Sequence, residues 1–237
     1  MKIAIMQPYF LPYIGYFQLI HAADRFVIYD NIQYTKKGWI NRNRILQNGK
    51  DEYISLPLKK DSDYLDVRER FLADTFAKDS QDVLRKIAGL YRKAPHFNEV
   101  YALLESIYRF DNPNLFEFIF NSVRETCGYL GINTEFVVSS TVPIDHQILK
   151  AEDKVLSLCK ALEATVYINP IGGTELYQRA VFAEQQIDLQ FLKANPLVYP
   201  QFNHEFVPWL SILDVMMFNT VETIRAHLDD GYTIVTN

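Results

Sequence analysis

Only two cysteines, Cys127 and Cys159, occur in this chain of 237 residues, far apart and each inside a helical pattern. Neither has a second cysteine or a paired histidine beside it, and the five histidines follow no ligand spacing, so neither a disulfide nor a metal site is expected. Both thiols read as buried and reduced in a cytoplasmic protein. No apolar run approaches the roughly 18 residues of a membrane span. The opening MKIAIMQP reaches the Gln7-Pro8 break too soon for a secretory signal and fits a first strand instead. Positive charge is not in excess: the net charge is −5, which disfavours bulk nucleic-acid binding. There is no Gly-Lys-Ser/Thr loop, no GxGxxG, no flavin or NAD motif, and no internal repeat or low-complexity tract.

What is present is apolar and aromatic. Hydrophobic residues make up 49% of the chain and aromatics 14%, enough for a core without staples. Lys2–Met6 is a short apolar run bounded as a buried strand is. Pro8 and Pro12 exclude Gln7–Leu11 from a central strand, and Pro12 suits a first helical turn. Residues 13, 16, 17, 20 and 23 form a helical stripe. Arg25–Asp30 reads as a second strand, parallel to the first through a right-handed crossover. Asn31–Asn43 is polar loop, and Glu52–Leu58 a third strand candidate. Ala77–Arg92, Phe97–Arg109 and Pro113–Gly131 read as three helices, a helical lobe at about 72–131 inserted into one domain covering 1–237. Thr134–Val138, Thr165–Asn169 and Leu189–Lys193 resume the strands, with helices at Ala151–Ala164 and Glu175–Gln185 between them. Trp209–Asn219 and Val221–Asp229 close the chain as helices. Alternating strands and helices predict an α/β fold with an open, mostly parallel sheet.

Charge is uneven. Residues 1–60 hold nine Lys/Arg against four acids, so the acidic remainder carries the net charge. A basic first quarter on an acidic body points to a local anion site, although ordinary solvated lysines give the same asymmetry. Open α/β sheets bind ligands beyond the carboxyl ends of their strands, near a switch in strand order. Three loops should meet there. Gln7–Pro12 leads into a helix N-terminus, which favours an anion; Gln7 supplies an amide, and Tyr9 and Tyr13 hydroxyls or stacking faces. Asp30–Arg44 offers Asp30 as a base or hydroxyl acceptor, Lys36, Lys37 and Arg42 for phosphates, Trp39 for stacking, Tyr34 as a further aromatic contact, and Asn41 and Asn43 as amides. On a regular strand Arg42 and Asn43 point to opposite faces. In Asn169–Glu175, Gly172 and Gly173 permit close backbone approach or positive φ, and a tight turn with Thr174 as N-cap reads equally well. Late in the chain His204 is a candidate general acid or base. Asp30 and His204 are thus the catalytic candidates, the others substrate-binding.

The blocks MQPYFLPYIGYFQLI, FVIYDNIQYTKKGWINRNRI, ISLPL, YINPIGGTELY and VPWLSILD run in order through nearly the whole chain and resemble the bacterial WbqC-like family. The resemblance implies a setting in surface polysaccharide (O-antigen, lipopolysaccharide) biosynthesis and leaves the reaction open. A fainter likeness joins the opening to HIGH-type nucleotidylyltransferases and pantothenate synthetases, whose His-x-Gly-His would lie over Tyr13-Ile14-Gly15-Tyr16. Here both histidines are tyrosines, which bring no cationic form to nucleotide phosphates. Three readings result. The favoured one is a transferase acting on a nucleotide-linked sugar, by acyl or aminoacyl transfer to an amino sugar, with a nucleotide or acyl donor and an anionic small-molecule substrate. The others are a HIGH-type adenylate-forming enzyme and a non-catalytic sugar-nucleotide-binding component.

Overall fold

Alternation along the first strand sets the layering. β1 (Lys2–Met6) turns Ile3 and Ile5 into one hydrophobic cluster and Ala4 and Met6 into another. Both faces are covered, as in the middle of a parallel sheet. In the computed structural model, which describes residues 1–236, β1 is an inner strand of a six-stranded sheet. The order is β5 (Glu135–Val138), β2 (Arg25–Ile28), β1, β6 (Val166–Pro170), β7 (Asp188–Ala194) and β8 (Tyr232–Val235). All neighbours are parallel except β7 and β8. Ala4 sits opposite Phe26 on one side and Ile168 on the other.

The chain winds outward from β1 to β2 and β5, then crosses to the other side of β1 for β6 and β7. This reversal makes the β1–β6 boundary the switch point, where a crevice opens beyond the strand ends. α1 (Ile14–Ala22), α7 (Ile212–Phe218) and α8 (Val221–Asp230) cover one face, and α5 (Ala151–Ala161) and α6 (Arg179–Glu184) the other.

Between β2 and β5 lie α2 (Phe76–Tyr91), α3 (Phe97–Tyr108) and α4 (Leu115–Leu130). Their apolar faces share one cluster with α1 and the sheet; Phe10 meets Tyr108 and Phe118 with ring centres 6.1 and 6.3 Å away. Asn114 caps α4 by accepting from the Glu117 N–H, and Gly131 ends it at φ 68°, in the left-handed region open to glycine.

Three elements depart from the sequence reading. The expected third strand does not join the sheet. It belongs to a separate antiparallel hairpin of β3 (Arg42–Gln47) and β4 (Lys50–Ser55), so the polar loop gives way to a strand at Arg42. The reason is local: Asn48 and Gly49 both take positive φ (51° and 76°), as a two-residue hairpin turn requires. The second is β8, an edge strand after Gly231 that was not expected. The helix expected over Glu175–Gln185 is a 3-10 segment, Ile171–Leu176, followed by the short α6.

Candidate functional site

A cavity of about 790 Å³ opens at the switch point. Its walls come from the ends of β1 and β2, from the β5–α5 connection with the first turns of α5, and from the turn after β6. Parallel winding accounts for this convergence, since every one of those segments leaves or enters the carboxyl edge of the sheet.

Lys154 is the chemical centre of the cavity. It stands in the first turns of α5, only 7% exposed. Its Nζ donates to the Asn31 carbonyl oxygen at 3.2 Å and lies 4.9 Å from the Tyr29 ring centre. Burial pushes its pKa below the ordinary lysine value, against the opposing pull of Asp66 and Asp30. Asp66 lines the same cavity, and its carboxyl is pushed upward, first by burial and then by Glu69. Its side chain also caps the 3-10 turn Val67–Glu69. His146 holds Nε2 2.8 Å from the Val142 carbonyl, which can only accept, so that nitrogen carries the proton. Its Nδ1 then accepts from the Asn31 amide at 2.9 Å. An amine, a carboxyl and an imidazole thus share one concave, tyrosine-walled space, a combination suited to moving protons.

Among the residues singled out from the sequence, Gln7, Tyr9, Gly172 and Gly173 line this cavity. Tyr9 is largely buried, which pushes its phenol up to about 12. Neither glycine has positive φ. Gly173 is buried, and a Cβ there would stand 2.1 Å from Asn169 Nδ2, so close packing explains this glycine; Gly172 faces open space. Thr174 lies inside the 3-10 segment and caps no helix.

Tyr9, Tyr13, Trp39 and Asn43 line a second, smaller pocket of about 320 Å³, together with Arg44 and Trp209. The remaining candidates line neither. Asp30 is buried and accepts from Ser139 Oγ (2.8 Å), Ser140 N–H (2.9 Å) and Ser140 Oγ (2.6 Å), so its carboxylate ties the end of β2 to the segment after β5. His204 is exposed and lies against Gly49 at the hairpin turn. Lys36 is exposed beside Asp63 at 3.5 Å. Lys37, also exposed, has φ 64°. Arg42 donates to the carbonyls of Gly38 and Lys37, with its guanidinium 4.6 Å from the Tyr53 ring centre. Tyr34 donates to Asn41, and Asn41 to the Leu56 carbonyl, which fastens the loop to the hairpin. Asn43 donates to the Phe10 carbonyl from the strand face opposite Arg42. The basic loop is therefore largely engaged with its own neighbours.

Sequence reasoning missed Lys154, Asp66, His146 and Tyr29. Each stands alone in the chain, so no spacing marks it. Among the described residues, no cluster of His, Cys, Asp and Glu could hold a metal ion, and no helix is long and apolar enough to cross a membrane.

Comparison with known proteins gives a family match over residues 7–226 to the WbqC-like protein family. The chain is also 32% identical over 223 residues to uncharacterized protein Rv1507c of Mycobacterium tuberculosis, covering 92% of this chain and 93% of that one. No solved structure matches.

Proposed function

Since the chain belongs to the WbqC-like protein family, we propose that it is a transferase of surface polysaccharide biosynthesis, taking a nucleotide-linked sugar into the switch-point cavity. The observation that carries this reading is the buried amine of Lys154 within a cavity of ligand size. An amine drawn toward its neutral form accepts a proton from an attacking sugar hydroxyl or amine. Asp66, whose carboxyl holds its proton to higher pH than usual, is the group that returns a proton to a leaving group. Tyr9, Tyr29 and Tyr177 supply faces for a base or sugar, and Gln7 with Asn169 supplies amide hydrogen bonds. Acyl or aminoacyl transfer to an amino sugar is the reaction class that fits neutral-amine chemistry. The test is calorimetric titration of the purified protein with a panel of nucleotide sugars, followed by mass spectrometry with acyl donors. Heat and product with one pair support the reading; no nucleotide sugar binding at all overturns it.

A second reading, a HIGH-type nucleotidylyl-transferring enzyme, has one observation in its favour: taken in order of appearance, the parallel strands run third, second, first, fourth, fifth. Against it, Tyr16 is buried and its hydroxyl is already donated to the Gln7 carbonyl at 2.8 Å. Pyrophosphate release from ATP or CTP with magnesium separates the two.

A further inference from the structure

The chain has two tryptophans, and both stand in the smaller pocket. Trp39 is 39% exposed and Trp209 46%. Large indoles left open to water in one concavity mark a recognition surface. Trp209 is held outward. Its backbone is in the left-handed region (φ 60°), which a bulky side chain rarely adopts, while Leu210 and Ser211 beside it are buried. Arg44 donates to the Trp209 carbonyl at 3.3 Å and fixes that conformation.

The pocket's chemistry selects among ligands. Tyr13 and Trp209 meet at 75°, with centroids 6.0 Å apart, so they form no parallel slot for a planar base. The Arg44 guanidinium, 5.4 Å from the Trp39 ring centre, disfavours a cationic guest. Its Nε is buried without a partner. Among the described residues, no hydrogen bond engages the indole N–H of either tryptophan or the Tyr13 hydroxyl. Angled aromatic platforms rimmed by free donors fit a pyranose ring, which offers apolar C–H faces edged with hydroxyl acceptors.

We propose that this pocket is a saccharide subsite distinct from the switch-point cavity. Tyr9 lines both spaces, and Ile171 of the pocket directly precedes Gly172 of the cavity. The two therefore share one wall, and a sugar in the pocket sits beside whatever fills the cavity. Calling that sugar the acceptor rests on the transferase reading; saccharide binding itself does not.

Because both tryptophans are here, intrinsic fluorescence reports on this pocket. Titration of the intact protein with N-acetylglucosamine, N-acetylgalactosamine and glucose should give a saturable change with at least one of them. Trp39→Ala and Trp209→Ala should each weaken it at least tenfold, read from the remaining tryptophan and by calorimetry, with circular dichroism checking the fold. Lys154→Met, in the cavity, should leave it unchanged. The subsite is overturned if no sugar alters the fluorescence or produces heat, or if Lys154→Met weakens sugar binding while the tryptophan variants do not. Saccharide binding in this pattern without any nucleotide sugar binding keeps the subsite and removes the transferase.

Discussion

Lys154 Nζ lies 3.2 Å from the Asn31 carbonyl oxygen and 4.9 Å from the centre of the Tyr29 ring, so one amine on α5 closes over the end of β2. The ring face favours its charged form and burial its neutral form; burial prevails. Lys154→Met should therefore lower turnover by roughly 100-fold or more, the scale of a lost general acid or base. The sign of the stability effect is opposite to a paired lysine. The folded pKa lies below the unfolded value, so the unfolded chain binds more protons between the two. The native protein should gain stability as pH rises from the folded value toward the ordinary lysine value of 10.5, and Lys154→Met should lack that rise. Urea titrations of both proteins across alkaline pH measure it.

Asp30 gives a contrasting outcome. Its carboxylate accepts three hydrogen bonds from Ser139 and Ser140 and lines neither cavity. Asp30→Ala should cost about 2–4 kcal/mol, because buried donors lose a charged acceptor. The melting temperature should fall accordingly. A variant with unchanged melting temperature and abolished turnover would instead make Asp30 a catalytic group.

The paired glycines separate space from flexibility. Gly172→Ala should leave both stability and ligand affinity unchanged, since nothing lies within 4 Å of the new Cβ. Gly173→Ala drives that atom to 2.1 Å from Asn169 Nδ2 and should cost roughly 1–3 kcal/mol, the usual range for overpacking. Thermal melts and nucleotide-sugar titrations of both variants, side by side, check this.

Asp214 is fully buried and accepts from Tyr91, Tyr199 and Gln201, each at 2.7 Å. Tyr91 also accepts from the Leu46 N–H, so this carboxyl anchors the hairpin to α2 and α7. Asp214→Ala leaves the three donors unmatched and should cost roughly 3–5 kcal/mol, by analogy with breaking a buried charged pair. Burial, the largest cause, raises the carboxyl's folded pKa; the three hydrogen bonds lower it. With that pKa above the unfolded 3.8, the group's contribution to stability falls as pH rises between the two values. Asp214→Asn should flatten that portion of the stability profile in acid denaturation.

Much of the sheet could be read from the chain alone. Ile3, Ile5, Phe26, Ile28 and Ile168, which fall in segments read as strands, are all buried, because a strand covered on both faces must be apolar throughout. Phe136, Val138 and Val166 are only partly buried; the first two lie on the edge strand β5, and which strand becomes an edge is a matter of order rather than sequence. The Asn48-Gly49 pair is a hairpin-turn dipeptide, but the sequence reading did not use it. For the site, the loops after β1 and β6 could be located by their prolines and glycines. Lys154, Asp66 and His146 could not, since they come from three separate segments and no local pattern joins them.

The order of residues by itself determined most of the sheet's strands and helices and that the first strand would be buried, since periodicity and proline placement act within a few residues. Only the tertiary structure decided which side chains face one another. It enclosed Lys154 and so lowered its proton affinity. It bound Asp30 to serines more than a hundred residues away. It also set Trp39 and Trp209 together, because burial and long-range hydrogen bonds arise only when distant segments share one edge of the sheet.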